Sequence, residues 1–297
     1  MVGTAIVARL ERENCHILTV PHAEVDLRNQ AQVEDWLAAN KPEAVFLAAG
    51  TVGGIYANDT RPAEFIYDNI MMVANVVNGV WRHCQAKLLY LGSSCIYPRL
   101  ASQPMAEDAL LSSGLEPTNQ WYALAKISGI KLCQAYRRQY SCDFISAMPT
   151  NLYGPYDNYD LEASHVVPAL IAKIHAAREN GAESVEVWGT GKPKRELFYV
   201  EDLADALVFL MKFYSEEDHI NVGTGVDVTI AELAVLVARV IGFEGRFDLV
   251  SDKPDGAPRK LLDVSRLSEL GWRAQTDLEE GLGRAYAWYR DNMAGTT

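Results

Sequence analysis

The feature that most constrains the fold is an alternation, through the first half of the chain, of short apolar runs with amphipathic helical stretches. The runs "CHILTV" (15–20), "AVFLAAG" (44–50), "AKLLYLG" (86–92) and "DFISAMP" (143–149) read as buried strands. The stretches 31–40, 62–83 and about 120–140 read as the helices between them. Apolar strands separated by helices of about 10–20 residues predict βαβ units, and so an α/β fold with a doubly wound, Rossmann-type parallel sheet. After residue 150 the pattern becomes mixed, with Gly and Pro punctuation and a closing helix near 277–292. The expected division is a first domain over 1–152 and a smaller C-terminal lobe over 153–297. The stretch 197–213, "LFYVEDLADALVFLMKF", is expected to return to the main domain.

The start of the chain does not follow the alternation. "MVGTAIVARLERE" reads as a helix already in its first turn, with no strand before it. A doubly wound sheet places its first strand between the second and fourth, followed by a glycine-rich turn that receives a pyrophosphate. The expectation is that such a strand and turn lie upstream, with only Gly3 matching the last glycine of the turn.

Composition narrows the partners. Hydrophobic residues are 49% and charged residues 22%, which fits a folded domain. A net charge of −12 argues against nucleic acid or an anionic membrane, since both require a basic face. An anionic substrate would need basic residues gathered locally against the overall field. The five cysteines (15, 84, 95, 133, 142) have neither metal-site spacing nor a small-domain disulfide framework, which fits a reduced cytoplasmic compartment. No run of 18 apolar residues is present.

Chemistry concentrates beyond the 86–92 strand, because ligands in open α/β sheets bind past the carboxyl ends of the strands. "LGSSCIYP" places Ser93, Ser94 and Cys95 there. Position alone leaves Cys95 open between a reactive thiol and a small buried hydrophobe. Ser93 precedes by 29 residues "YALAK", in which Tyr122 and Lys126 share one helix face. An ammonium beside a phenol is expected to lower its pKa and let it exchange a proton at a carbonyl oxygen, with Ser93 adding a second hydrogen bond. An ordinary exposed helix pair is the alternative. For His165 the alternative to catalysis is a place at a helix N-terminus behind an N-cap at Ser164.

"LGSSCIYP", "YALAK", "MPTNLYGP" and "RELFYVEDLADA" together resemble the extended short-chain dehydrogenase/reductase family. Within it, "AAGTVGGIYAN", "INVGTGVDVTI" and "KPDGAPRKLLD" resemble the branch that epimerises and reduces GDP-4-keto-6-deoxy sugars. The resemblance implies an NADP(H)-dependent enzyme with a GDP-sugar substrate held in the C-terminal lobe, and a homodimer built on the helices near 62–83 and 120–138. It implies Ser93, Tyr122 and Lys126 for reduction, and Cys95 with His165 as the base and acid of epimerisation. Cofactor contacts are implied at Gly3, His22, Asp26, Leu27, Leu91, Gly92, Ser93, Ser94, Lys126, Pro149, Asn151, Leu152 and His165. Substrate contacts are implied at Val166, Leu170, Lys173, Trp188, Arg195 and Lys260. Two alternatives stay open: another nucleotide-sugar reductase, dehydratase or 4-epimerase of the same family, and a non-catalytic dinucleotide-binding protein. The first would not need the Cys95/His165 pair, and the second would not need a Ser/Tyr/Lys set.

Overall fold

The structure, a computed structural model, describes residues 1–160, 164–250 and 256–294. The first half carries α1 (Val2–Leu10), α2 (Gln30–Asn40), β1 (Ala44–Leu47), α3 (Ile55–Thr60), α4 (Pro62–His83), β2 (Lys87–Leu91), α5 (Gln120–Tyr140) and β3 (Phe144–Pro149). The second half carries β4 (Asn151–Tyr153), α6 (Val166–Glu179), β5 (Ser184–Trp188), β6 (Lys194–Tyr199), α7 (Val200–Phe213) and β7 (Ile220–Val222). It closes with β8 (Asp227–Thr229), α8 (Ile230–Ile241), β9 (Arg246–Val250), β10 (Arg259–Lys260), α9 (Ser265–Glu269) and α10 (Leu278–Asn292).

The main sheet is parallel, in the order β1-β2-β3-β7. Strand alternation divides its side chains between two cores. Leu88 and Tyr90 pack with Val73, Val77 and Ile130 on the side of α2, α4 and α5. Leu89 and Leu91 pack with Ile6, Leu203 and Leu207 on the side of α1 and α7. Helices on both faces make the sheet doubly wound. A second sheet runs β10-β6-β4 with β8 antiparallel on β6, and β5 pairs with β9. A third core, of α6, β5, α8 and α10, fills the C-terminal lobe around Ile171, Val187, Leu233 and Leu282.

Local chemistry accounts for the helix boundaries. Pro62 opens α4 where its missing N–H costs nothing, and Arg82 and His83 sit in its last turn against the negative end of the dipole. Thr229 and Glu232 form a capping box on α8, which Gly242 ends in the left-handed conformation. The expected strand at 15–20 does not form. Residues 16–20 have no ladder partner among the described residues, and a strand without a partner leaves its backbone to solvent. Of the stretch 197–213, the helix α7 packs on the main sheet, whereas the residues before it belong to β6 of the second sheet. No described helix is long and apolar enough to cross a membrane.

One buried carboxylate fastens the second sheet to the end of the first. Glu196 on β6 is 0% exposed. Its Oε1 accepts from the backbone N–H groups of Thr224 and Gly225 at 2.7 and 2.8 Å, and its Oε2 from that of Leu262 at 2.8 Å. A Cβ at position 223 would lie 2.3 Å from Oε1, so only glycine lets this loop come close enough. Burial raises the carboxyl pKa, and the backbone N–H donors oppose that rise. Glu196→Ala strands three backbone donors, that of Leu262 buried, and is expected to destabilise the fold by about 3 kcal/mol, with Glu196→Gln losing less, as read by urea unfolding.

Candidate active site

Ser93 ends the run out of β2 and caps a short turn, Ser94–Ile96, its hydroxyl accepting from the Cys95 backbone N–H at 3.3 Å. That turn aims Cys95 at the first residues of α5. The Ser93 hydroxyl also faces the Tyr122 phenol and acts to lower its pKa. One turn further along α5, the Lys126 ammonium donates to the Leu91 carbonyl at 2.9 Å and lies 5.7 Å from the centre of the Tyr122 ring. Ser93, Tyr122 and Lys126 therefore share one buried corner, roofed by Phe65 edge-on to Tyr122 at 6.3 Å.

The electrostatics of the corner differ from the sequence expectation. Burial pushes the Tyr122 phenol well above its ordinary range, Cys95 adds to the rise, and the Ser93 hydroxyl opposes it. The Lys126 ammonium, 5.7 Å from the ring, does not lower it to neutral pH as expected. Desolvation outweighs an ammonium that is itself desolvated. The phenol therefore keeps its proton at rest. Lys126, 4% exposed, is pushed down to about 8 by the same desolvation. It has no carboxylate partner among the described residues. A Cβ at Gly50 would reach within 3.5 Å of Lys126 Nζ and 2.9 Å of Asn69 Oδ1. An ammonium with spare donors beside a gap that only glycine leaves suits a ribose diol, and on that ground these residues fit a nicotinamide dinucleotide.

The second cluster comes from the lobe. β10 runs parallel to β6, with Lys260 paired to Arg195 in register, so the two side chains emerge on one face. Lys260 Nζ approaches Cys95 Sγ at 3.8 Å. His165, rather than Ser164, is the N-cap of α6. His165 is solvent-accessible yet walled by protein, so burial first and the Lys260 charge second lower its imidazole pKa. Lys260 thus approaches Cys95, and its charge is felt at His165. Arg259 points the other way and is taken by Asp227 at 2.5 Å.

The remaining candidate residues divide clearly. Lys173 lies over the Trp188 ring at 4.5 Å, and that ring is 52% exposed. Burial lowers the Lys173 pKa, while Glu186 opposes it. Val166 is half-buried, whereas Leu170 belongs to the lobe core and offers little surface to a ligand. Gly92 and Ser94 are buried at the β2 exit, and Gly92 N–H bonds the Ala147 carbonyl at 2.9 Å. Pro149 is buried and Leu152 half-buried, while the Asn151 amide is spent on the Glu196 carbonyl at 2.8 Å. Gly3 has open space where a side chain would stand, at the start of a helix with no acid in its first turn. Such a terminus suits an anion. His22 is exposed, 3.8 Å from Asp26. Arg28 hydrogen-bonds Asp26 and holds its carboxyl near 2, and also reaches Asp68 at 3.3 Å. Leu27 is half-buried, its carbonyl bound by Asn75.

Several site residues were not anticipated from sequence. Arg28 and Asp68 link the Asp26 loop to Thr51, and Asn69 links Thr51 to the corner beside Lys126. Asn119 donates its amide to Cys95 Sγ at 3.5 Å. Only its place, one helical turn before Tyr122, could have signalled it. Two further surface clefts, one along Gly223, Val264 and Trp272 and one along Arg99, Ser113 and Leu115, contain none of these side chains.

Comparison with known proteins agrees with this geometry. The NAD dependent epimerase/dehydratase family matches residues 1–223. GDP-L-fucose synthase of Sinorhizobium fredii is 55% identical over 99% of this chain and 94% of its own length. GDP-L-fucose synthase 1 of Arabidopsis thaliana is 54% identical, over 99% and 91%. The crystal structure of a GDP-L-fucose synthetase from Naegleria fowleri bound to NADP superposes with a TM-score of 0.91 at 27% identity, covering 98% of this chain and 90% of that one. With the Ser93–Tyr122–Lys126 corner and the Cys95 thiol in one cleft, the chain belongs to the NAD dependent epimerase/dehydratase family, in its GDP-L-fucose synthase branch.

Proposed function

We infer that this protein converts GDP-4-keto-6-deoxy-D-mannose to GDP-L-fucose by epimerisation at C3 and C5 and NADP(H)-dependent reduction at C4. The observation that carries the reading is the approach of Lys260 to Cys95, with its charge felt at His165, beside the Ser93–Tyr122–Lys126 corner. A plain reductase has no use for the first group.

The C4 ketone acidifies the protons on C3 and C5. Cys95 takes such a proton, the electron pair moves onto the C4 oxygen, and His165 returns a proton from the opposite side. An imidazole of lowered pKa gives up its proton readily and is recharged from solvent, to which it is open. Ser93 and Tyr122 supply hydrogen bonds to the oxygen where negative charge develops. Bound NADPH supplies the hydride that reaches C4. Tyr122, protonated at rest, gives its proton to the C4 oxygen, and Lys126 holds the nicotinamide ribose. Arg195 and Lys260 attract the pyrophosphate, Trp188 and Val166 flank the guanosine, and Lys173 braces Trp188. The Gly3 helix terminus, His22, Asp26 and Leu27 take the adenosine end, and Leu91, Gly92, Ser94, Pro149, Asn151 and Leu152 line the nicotinamide. As in the resemblance, α4 and α5 form the contact of a homodimer. A cytoplasmic location fits the five free cysteines.

Incubation with GDP-4-keto-6-deoxymannose and NADPH in deuterated water separates the steps. Cys95→Ser is expected to lower label uptake at C3 and C5 by on the order of 100-fold. Tyr122→Phe keeps the label and lowers NADPH oxidation by about 100-fold or more. Equal loss of label uptake and NADPH oxidation in Tyr122→Phe would refute the division of roles. The Lys126 ammonium is present below about pH 8 and lost above it. Reductive kcat/KM is therefore expected to fall as pH rises through that value, which a pH–rate profile of NADPH oxidation checks.

A further inference from the structure

Asn119 occupies the N-cap of α5, where an asparagine side chain ordinarily accepts a backbone N–H of the first turn. It makes no such bond. Its amide nitrogen is turned instead to Cys95 Sγ at 3.5 Å, and its Oδ1 is buried without a partner among the described residues. A forgone cap and an unmatched buried carbonyl are both unfavourable. Two local rules broken for one contact mark the contact as the reason the residue is there.

The sulfur is held from several sides. The Ser93 hydroxyl fixes the Cys95 backbone N–H, and Ala57, Phe65 and Tyr122 form the apolar wall beside it. Among the described residues, Lys260 from β10 and the Tyr122 phenol from α5 are titratable groups that face it. Asn119 and Lys260 both aim N–H donors at the sulfur. A neutral thiol accepts such donors weakly, and a thiolate accepts them well.

We propose that Asn119 is a positioning residue for epimerisation: its amide N–H orients the Cys95 sulfur as a proton acceptor toward the sugar. This rests on the epimerase reading. It assigns Asn119 no contact with the cofactor and no part in hydride transfer. In the step served, the C–H bond at C3 or C5 breaks, the proton passes to sulfur and the pair to the C4 oxygen.

The test measures carbamidomethylation of Cys95 by iodoacetamide against pH, read on its own peptide by mass spectrometry, in the absence of substrate. Since the thiolate is the reactive form, Asn119→Ala and Asn119→Leu are expected to slow alkylation at pH 7 by on the order of tenfold. Asn119→Leu keeps the bulk and adds no charge but cannot donate, so it separates the N–H from the volume of the side chain. Deuterium uptake at C3 and C5 is expected to fall about as much in kcat with little change in KM. NADPH affinity stays at the wild-type value, and Tm changes by no more than about 1 °C, because no cap is lost. Alkylation profiles of both variants that overlay wild type would overturn the assignment. An equal fall in NADPH affinity, exchange and Tm would overturn it as well, since that is the mark of a general structural role. Absence of label in the wild-type protein would overturn the epimerase reading itself, while the substrate-free alkylation shift would still report the amide–sulfur contact.

Discussion

The arrangement of the site depends on one buried acceptor. The Glu196 carboxylate binds two successive backbone N–H groups within the β7–β8 loop and that of Leu262, two residues past Lys260. β10 is only two residues long and could not hold its register on ladder hydrogen bonds alone. Fixing Leu262 fixes how far β10 slides along β6, and a slip of one residue would turn Lys260 away from Cys95 and bring Arg259 toward it. The bridge between Met105 and Leu262, and the Gln103 side chain on Leu261 N–H at 2.9 Å, tie the same segment to the loop after Cys95. The lobe therefore delivers its lysine to the main domain through backbone geometry rather than through flexible side chains.

Charge is distributed to the same end. The chain carries a net −12, yet Lys126, Lys173, Arg195 and Lys260 gather around the cleft. The nearby Arg259 is neutralised by Asp227, and Arg28 is shared between Asp26 and Asp68. Cations that only hold the framework are paired, and those near the cleft are set against sulfur, an aromatic face or a carbonyl. An anionic ligand is then drawn toward these cations although the chain as a whole is acidic.

Much of this was legible in the sequence because it rests on periodicity and on local spacing. The bounds of α4 and α5, the strand before Ser93 and the shared face of Tyr122 and Lys126 follow from turn-by-turn patterns. What was not legible depends on partners far along the chain. "CHILTV" has the composition of a strand, but a ladder needs a neighbour, and none of the described strands lies against it. Leu170 matches a motif yet faces the lobe core, since one residue's place on a helix is decided by what packs against it. The phenol of Tyr122 was expected to be drawn down by Lys126, but burial, which sequence does not report, wins over a desolvated ammonium. Asn119 was missed because an asparagine ahead of a helix reads as a cap, and only coordinates show the cap unmade.

In the roles proposed for them, the influence of Cys95 on Tyr122 would give the two reactions a physical order. Negative charge at the sulfur raises the phenol's pKa, so while Cys95 stands ready to accept a proton, Tyr122 holds its own more firmly. The acid needed for reduction is thus kept in its protonated form during the step that needs a base. Once the sulfur has taken a proton, that restraint weakens and the phenol can release its proton to the C4 oxygen as hydride arrives. Here their interaction acts in the direction that epimerisation followed by reduction requires, and the reverse order would ask the phenol to discharge when its proton is held most tightly.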